Sequence, residues 1–215
     1  TKLRCCQMNN LPNSIYYDLS SFSYRFPSML KWKIDISRVA LLVHDMQKYF
    51  LAPFDHNFKK QLSKHIQTLI QWADINGIPI IYTAQPGGMN RNQRGLLYDL
   101  WGSGMRRRSE EVNIIDELEP KPTDQVLTKW RYSAFFNTKL IDVLREKERK
   151  QLVICGVYGN LGILSTAIDA YSFDIQNFLV SDAIGDFSSK KHMSTLKYAS
   201  ESCSVITSTK EICQL

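Results

Sequence analysis

Short apolar runs alternate with amphipathic stretches along most of this chain, and no other feature restricts its fold as strongly. The apolar runs have the length and near-continuous hydrophobicity of strands covered on both faces, at residues 38–44, 78–83, 125–128, 151–155, 177–181 and 204–207. Apolar side chains recur at helical spacing in residues 58–76, 136–147, 162–173 and 190–202. The alternation predicts βαβ units with right-handed crossovers, and therefore a three-layer α/β/α fold around a central parallel sheet.

The 215 residues are predicted to form a single domain, residues 1–215, because this length suits one hydrophobic core and no linker or repeat divides it. Residues 1–38 lack periodicity but carry several aromatic side chains. We expect them to form an extended N-terminal arm packed on the body or on a partner subunit. Residues 84–108 form a long polar segment, and a loop of this length in a compact domain is usually functional.

Composition argues against several other classes of protein. The cysteines are odd in number and form no CxxC pair, which argues against a disulfide framework and a zinc site; they are Cys5, Cys6, Cys155, Cys203 and Cys213. The net charge is +6, but the only dense basic run is Arg106–Arg108, so no nucleic-acid surface is predicted. No apolar run approaches the ~20 residues that span a bilayer, and no secretory signal is recognisable. We therefore expect a cytoplasmic protein without a membrane partner.

Polar residues follow the predicted strands at the edge where open parallel sheets bind their ligands. Asp45 follows the first strand, Gln85 the second, Lys129 the third and Tyr158 the fourth. Taken singly, an Asp here is often a helix cap or turn residue, and a Lys is usually exposed. Together, a carboxylate, an amide, an ammonium and a phenol converge on one crevice, and an enclosed Asp–Lys pair would couple strongly.

Several of these segments carry motifs of one known family. The motifs are LLVHDMQKYF (41–50), YTAQPG (82–87), QRGLL (93–97), LTKWRYSAFF (127–136), ICGVY (154–158) and DIQNFLVSDAIGDFS (174–188). They resemble the isochorismatases over residues from about 14 to 210, and most of all the branch with phenazine-pathway and siderophore-pathway enzymes. The resemblance implies a Rossmann-like, isochorismatase-like hydrolase fold.

One departure from the wider superfamily separates two chemistries. Cysteine hydrolases of that superfamily, including nicotinamidases, use an Asp–Lys–Cys triad whose cysteine opens the helix after the fourth strand. Gly162 stands at that position here, and Cys155 lies seven residues earlier inside a predicted strand. Without a thiol at the mouth, nucleophilic acyl transfer has no nucleophile. Gly162 therefore favours ether hydrolysis over amide hydrolysis.

The resemblance implies hydrolysis of the enolpyruvyl vinyl ether of isochorismate to pyruvate and 2,3-dihydroxy-2,3-dihydrobenzoate, with no cofactor. By the same resemblance, Asp45 is the general acid that protonates the terminal methylene carbon. The Asp45 carboxylate then faces the oxocarbenium ion. Lys129 is expected to hold Asp45 and bind substrate.

The family also suggests which residues bind the substrate. Gln85 is expected to hydrogen-bond the substrate or to orient Asp45. Arg94 matches a position that binds a substrate carboxylate, for which a guanidinium suits well. Trp101 and Tyr158 match positions that pack the ring and bond the enolpyruvyl carboxylate. The Val157–Tyr158 bond is a candidate for the family's non-proline cis peptide.

Other polar residues have more ordinary interpretations. Gly159-Asn160 replaces the branch's usual Ala-His, and Asn160 could donate a hydrogen bond or, more plainly, cap the following helix. Asp55-His56 is similar to a nicotinamidase metal pair but lacks a third ligand, so no metal is expected. His44 is either an extra base or a structural residue. Arg106–Arg108 is expected to be a solvated loop tip that at most attracts an anionic substrate.

Alternatives to isochorismate hydrolysis stay open from the sequence. The same reaction on 2-amino-2-deoxyisochorismate shares the enolpyruvyl end, and nicotinamidase-like amide hydrolysis and a non-catalytic relative are the others. The expected partners are a small anionic substrate and a second copy of the chain. Some siderophore-pathway isochorismatases carry an aryl carrier domain, and none is expected within residues 1–215.

Overall fold

The computed structural model describes residues 11–22 and 26–215. Within these residues the strands are β1 Val39–His44, β2 Ile80–Ala84, β3 Gln125–Thr128, β4 Gln151–Val157, β5 Gln176–Gly185 and β6 Val205–Thr207. The helices are α1 Lys48–Leu51, α2 His56–Ile75, α3 Arg91–Arg94, α4 Leu97–Trp101, α5 Ser109–Val112, α6 Leu140–Glu146, α7 Leu164–Ser172, α8 Ser189–Ser202 and α9 Thr209–Ile212. Short 3₁₀ turns lie at Leu19–Phe22 and Asp116–Leu118, and a π-helical turn spans Gly159–Ile163.

The described strands form one parallel sheet in the order β3-β2-β1-β4-β5-β6, which confirms the predicted fold class. The order reverses direction at β1, so right-handed crossovers place the helices after β1 and after β4 on opposite faces. Accordingly α2 contacts α9, whereas α7 contacts α8. Strands β1 and β4 are buried along their whole length between these layers. Their adjacent carboxyl ends form the topological switch point where ligands bind in such sheets.

Two strands continue past the ends predicted from hydrophobicity. Strand β4 continues through Gly156, whose φ of 114° suits glycine and whose missing Cβ would lie 2.1 Å from the His44 carbonyl oxygen. Strand β5 continues through Ser181 and Asp182, which are buried but hydrogen-bonded. The Ser181 hydroxyl donates to the Phe22 carbonyl at 2.6 Å, and Asp182 Oδ1 accepts from the Thr209 amide at 2.8 Å. A buried strand can thus include polar side chains when their hydrogen bonds are made within the protein.

Two predicted helices begin later than expected. Helix α6 starts at Leu140, not at Phe136, because Asn137 takes a left-handed conformation with φ 51°. Helix α7 starts at Leu164, not at Gly162, because the chain first makes the π-helical turn. The other predicted ends differ by one or two residues, as is usual for helix and strand boundaries.

The described part of the N-terminal arm lies against the body. Ile15, Leu19 and Phe22 are buried in the main core, and the Ile15 backbone exchanges hydrogen bonds with Pro53 and Asp55. Tyr24, Cys5 and Cys6 lie outside the described residues. The remaining cysteines are free thiols. In residues 11–22 and 26–215, no helix is long and apolar enough to cross a membrane.

Candidate active site

A buried ion pair lies where β1 and β3 end. Asp45 Oδ2 is 2.8 Å from Lys129 Nζ, and the side chains are only 7% and 1% exposed. The Thr83 hydroxyl accepts from the Asp45 amide at 3.1 Å and donates to Asp45 Oδ1 at 2.6 Å. Because β1 and β2 pair in register, with His44 opposite Thr83, this contact follows from the sheet itself. The Asp45 side chain is therefore fixed by Lys129 and Thr83 and does not cap a helix.

Lys129 is not the exposed lysine that its residue type suggests. Its ammonium also donates to the carbonyls of Arg131 and Tyr132, at 2.6 and 3.1 Å. The three acceptors match the three protons of an ammonium, which explains how a cation is tolerated at this depth.

Gln85 and Arg94 form a second polar pair on the other side of the pocket. Arg94 Nη1 donates to Gln85 Oε1 at 3.2 Å, and Arg94 Nε donates to the Gly102 carbonyl at 3.0 Å. Burial lowers the pKa of Arg94 from its ordinary value. In the described structure the Asp45 carboxylate is bound by Thr83 and Lys129, and the Gln85 side-chain carbonyl oxygen binds Arg94. Of the two roles expected for Gln85, contact with the substrate stays a prediction.

Aromatic rings line the rest of the pocket. Tyr158 stacks on Phe187 at 4.2 Å between ring centroids, and Phe187 stacks on Trp101 at 5.8 Å. Trp101 Nε1 donates to the Tyr132 hydroxyl at 2.7 Å, while the Tyr158 hydroxyl donates to the Phe50 carbonyl. In this arrangement the Tyr158 hydroxyl proton is donated within the protein, and the ring lines the pocket. The Val157–Tyr158 peptide is cis, which confirms that prediction.

The pocket holds about 510 Å³ of space, including its open mouth. All seven predicted site residues line it, together with others that the sequence reasoning did not assign to it: Leu11, Tyr49, Phe50, Leu97, Leu161 and Phe187. The available signal was the position of Phe187 two residues after β5, which ends at Gly185. Thr83 was also missed as a functional residue, although it lies near the end of β2, opposite the residue that precedes Asp45.

Gly162 lines the pocket beside His44, whose ring is fully buried. His44 Nδ1 lies 2.7 Å from the Val157 carbonyl oxygen, and burial lowers the pKa of His44 to about 4. The thiol of Cys155 does not line this pocket. It is buried against the Leu42 carbonyl, and burial raises its pKa.

The other polar candidates lie outside the pocket lining. Asp55 caps α2 by accepting from the Asn57 and Phe58 amides. The Asn160 side chain was expected to cap the following helix, but Asn160 Oδ1 has no hydrogen-bond partner. The backbone N–H of Asn160 donates to the Asp186 carboxylate. Arg106–Arg108 is exposed, as predicted for a loop tip. Among the residues described, no three His, Cys, Asp or Glu side chains lie close enough to hold a metal ion.

Comparison with known proteins agrees with this geometry. Residues 39–211 match the family model described as the isochorismatase domain. The chain is 45% identical over 205 residues to the phenazine biosynthesis protein PhzD of Pseudomonas fluorescens, covering 95% of this chain and 99% of that protein. It is 41% identical to the isochorismatase of Bacillus subtilis over 91% of this chain, and it spans 64% of that relative's length. The chain belongs to the isochorismatase family.

The fold also matches a solved structure. The crystal structure of a cysteine hydrolase from Pseudomonas syringae pv. phaseolicola has a TM-score of 0.80 and 25% identity, covering 88% of this chain and 96% of that one. The present chain thus shares the fold of that cysteine hydrolase.

Proposed function

We propose that this chain hydrolyses the enolpyruvyl vinyl ether of isochorismate to pyruvate and 2,3-dihydroxy-2,3-dihydrobenzoate. The observation that carries the proposal is the buried Asp45–Lys129 pair in a pocket whose lining, within the described residues, includes Gly162 and no thiol. A site of this kind can deliver a proton but cannot form a thioester. The family membership of the chain and the names of its relatives support the same reaction.

Asp45 is the proposed general acid. Its proton passes to the terminal methylene carbon of the enolpyruvyl group, and the adjacent ether carbon becomes an oxocarbenium ion. The carboxylate left behind is stabilised by the Lys129 ammonium and the Thr83 hydroxyl, which are already in contact with its two oxygens. Its negative charge stabilises the cation, and water adds to that carbon with loss of a proton, which restores the acid form of Asp45. The neutral hemiketal then breaks its bond to the ring oxygen and gives pyruvate and the dihydroxy product.

Substrate binding is proposed for Gln85, Arg94, Trp101 and Tyr158. The Arg94 guanidinium uses Nε and Nη1 within the protein, which leaves Nη2 as the nitrogen to offer a substrate carboxylate. Trp101 and Tyr158 provide flat apolar walls for the ring. No cofactor is needed for this chemistry.

A second substrate has a specific observation in its favour. The relative named PhzD, a phenazine biosynthesis protein, matches 99% of its length to this chain. We therefore propose 2-amino-2-deoxyisochorismate as the alternative substrate, cleaved by the same acid at the same enolpyruvyl group. Amide hydrolysis is less well supported because Gly162 supplies no nucleophile.

The test is pyruvate release from each substrate by the purified chain. Asp45→Ala is expected to lower kcat by about 10²–10⁴-fold, the usual contribution of a positioned acid. Because the variant also leaves the buried Lys129 ammonium without its carboxylate partner, circular dichroism must first show that it is folded. The exposed Asp142→Ala on α6 is the matched control. Near-normal turnover by Asp45→Ala would exclude this mechanism, and no release from either substrate would indicate a non-catalytic relative.

We also propose that the chain is one domain, that it forms a homodimer and that it functions in the cytoplasm. Exposed apolar side chains at Leu96, Leu100 and Phe136 support a self-association surface. The free thiols of the described cysteines suit a reducing compartment. Light scattering of the purified chain would test the dimer, and a monomeric mass would refute it.

A further inference from the structure

His44 lies at the centre of the site, yet the proposed mechanism does not use it. It precedes Asp45 in the chain, and its Nδ1 is 3.7 Å from Asp45 Oδ2. The ring is fully buried and borders the pocket next to Gly162. A buried imidazole in contact with these residues calls for a physical explanation.

The hydrogen bonds of His44 define its state. A backbone carbonyl only accepts, so the 2.7 Å contact with Val157 places the proton on Nδ1. Burial, the largest influence, lowers the pKa of His44 to about 4; Asp45 and the Val157 and Tyr132 carbonyls act to raise it, and the Lys129 ammonium acts to lower it. Near neutral pH the ring is therefore neutral, so it does not serve the site as a second cation.

The ring occupies the space that a side chain at position 162 would need. A Cβ on Gly162 would lie 2.3 Å from His44 Cε1 and 2.9 Å from Nε2, closer than real Cβ contacts allow. The ring cannot readily move away, because Nδ1 is tied to Val157 and the His44 backbone packs tightly against Gly156. The φ of Gly162 lies outside the left-handed region, so the obstacle to a side chain there is steric and not conformational.

We propose that His44 is a positioning residue that commits this site to ether hydrolysis. Its neutral imidazole fills the volume beside Asp45 that a nucleophilic side chain at position 162 would occupy. The same ring fixes the Val157 carbonyl, which precedes the pocket residue Tyr158. His44 and Gly162 thus form a matched pair. The inference rests on the proposed function, since it concerns which reaction the Asp45–Lys129 pair performs.

A rescue experiment tests the pair. Gly162→Ala introduces the Cβ that meets the ring, whereas His44→Asn removes the Cε1–Nε2 edge and keeps an N–H that can donate to Val157. Gly162→Ala is expected to lower kcat by at least about tenfold with a smaller change in KM, because even small displacements of catalytic groups are costly. The double variant is expected to return to within about twofold of His44→Asn, the scatter of ordinary additivity.

His192→Asn is the matched control, because His192 is also fully buried with a strongly lowered pKa, to about 3, but is not among the atoms that a Cβ on Gly162 would meet. It should not rescue Gly162→Ala. If the wild-type enzyme is active and the kcat losses of Gly162→Ala and His44→Asn multiply in the double variant, this inference is overturned and the proposed function stands. A wild-type chain that releases no pyruvate would overturn the proposed function and this inference together.

A second readout does not depend on turnover. Gly162→Cys is made with and without His44→Asn, and alkylation of the introduced thiol is followed by peptide mass spectrometry. The thiol is expected to react faster when His44→Asn has opened space for it in the pocket. Equal alkylation rates in the two backgrounds would show that His44 does not control this position, and would overturn the inference.

Discussion

The pocket has two halves that are built differently. The strand-end half consists of Asp45 and Lys129, which directly follow β1 and β3, and of Gly162 in the π-helical turn after β4. Each of the three is enclosed by hydrogen bonds or close packing. The loop half consists of Arg94 and Trp101, which lie on the four- and five-residue helices α3 and α4 of the long loop. The outer faces of these helices are exposed. In the proposed mechanism, proton delivery therefore belongs to enclosed residues and substrate recognition to residues on short, partly exposed helices, so substrate preference can change without moving the acid.

The largest effect should follow from breaking the strand-end half at Lys129. Lys129→Met leaves the Asp45 carboxylate buried with only Thr83 as a donor. Removing one partner of a buried ion pair typically costs about 3–5 kcal/mol, so both the free energy of unfolding and kcat should fall sharply. Urea unfolding and pyruvate release measure the two losses.

The control for Lys129→Met is Lys147→Met, which removes an exposed lysine at the end of α6. Its stability should change by no more than about 0.5 kcal/mol, as for ordinary surface substitutions. Equal stability of the two variants would contradict the view that the strand-end half depends on this charge pair.

A change in the loop half should affect substrate binding more than the chemical step. Arg94→Lys keeps the charge but loses the planar group that contacts both Gln85 and the Gly102 carbonyl. We expect KM to rise about tenfold or more, the effect of losing one or two charge-assisted hydrogen bonds, with kcat little changed. Arg91→Lys, an exposed arginine on the same short helix, is the control. A fall in kcat alone would contradict the division between the halves.

The strand-end half was the more predictable of the two. Asp45 and Lys129 follow apolar runs directly, and parallel pairing brings the ends of such strands to one edge, so their meeting could be inferred. The family motif identified Arg94, but its contact with Gln85 depends on how a long loop folds back. Periodicity carries no information about that path.

The fold followed the hydrophobic pattern except where local chemistry replaced it. The α/β alternation predicted the layers and the parallel sheet. Strand β5 ran past its predicted end at Ser181 because the next residue, the buried Asp182, finds a hydrogen-bond donor inside the protein. Helix α6 began late because Asn137 adopts a positive φ. Both outcomes depend on tertiary contacts or on a single backbone angle, which apolar spacing does not encode.

The smallest effect on turnover is expected behind the strand-end half, at Asp186. This buried carboxylate accepts from the Asn160 amide at 2.7 Å and the Phe187 amide at 2.8 Å, so it ties together two segments next to the pocket. Asp186→Asn replaces one acceptor oxygen with a donor and should lose about one hydrogen bond, worth about 0.5–1.5 kcal/mol. Turnover should stay within about tenfold of the wild type, because Asp45 and Lys129 keep their own partners.

The pH dependence of stability gives the sharper test of Asp186. Burial raises its pKa to about 6, against the lowering effects of its amide donors and of Lys191, whereas the unfolded chain has a value of about 4. Between about pH 4 and pH 6 the folded state holds a proton that the unfolded state has lost. Stability from this group is therefore lost as the pH rises through that window and is constant above it. Since Asp186→Asn cannot titrate, the Tm of the wild type relative to the variant should fall over that range. A difference in Tm that stays constant across this pH range would show that Asp186 does not titrate within it. Asp186 would then contribute no pH dependence to the stability of the strand-end half.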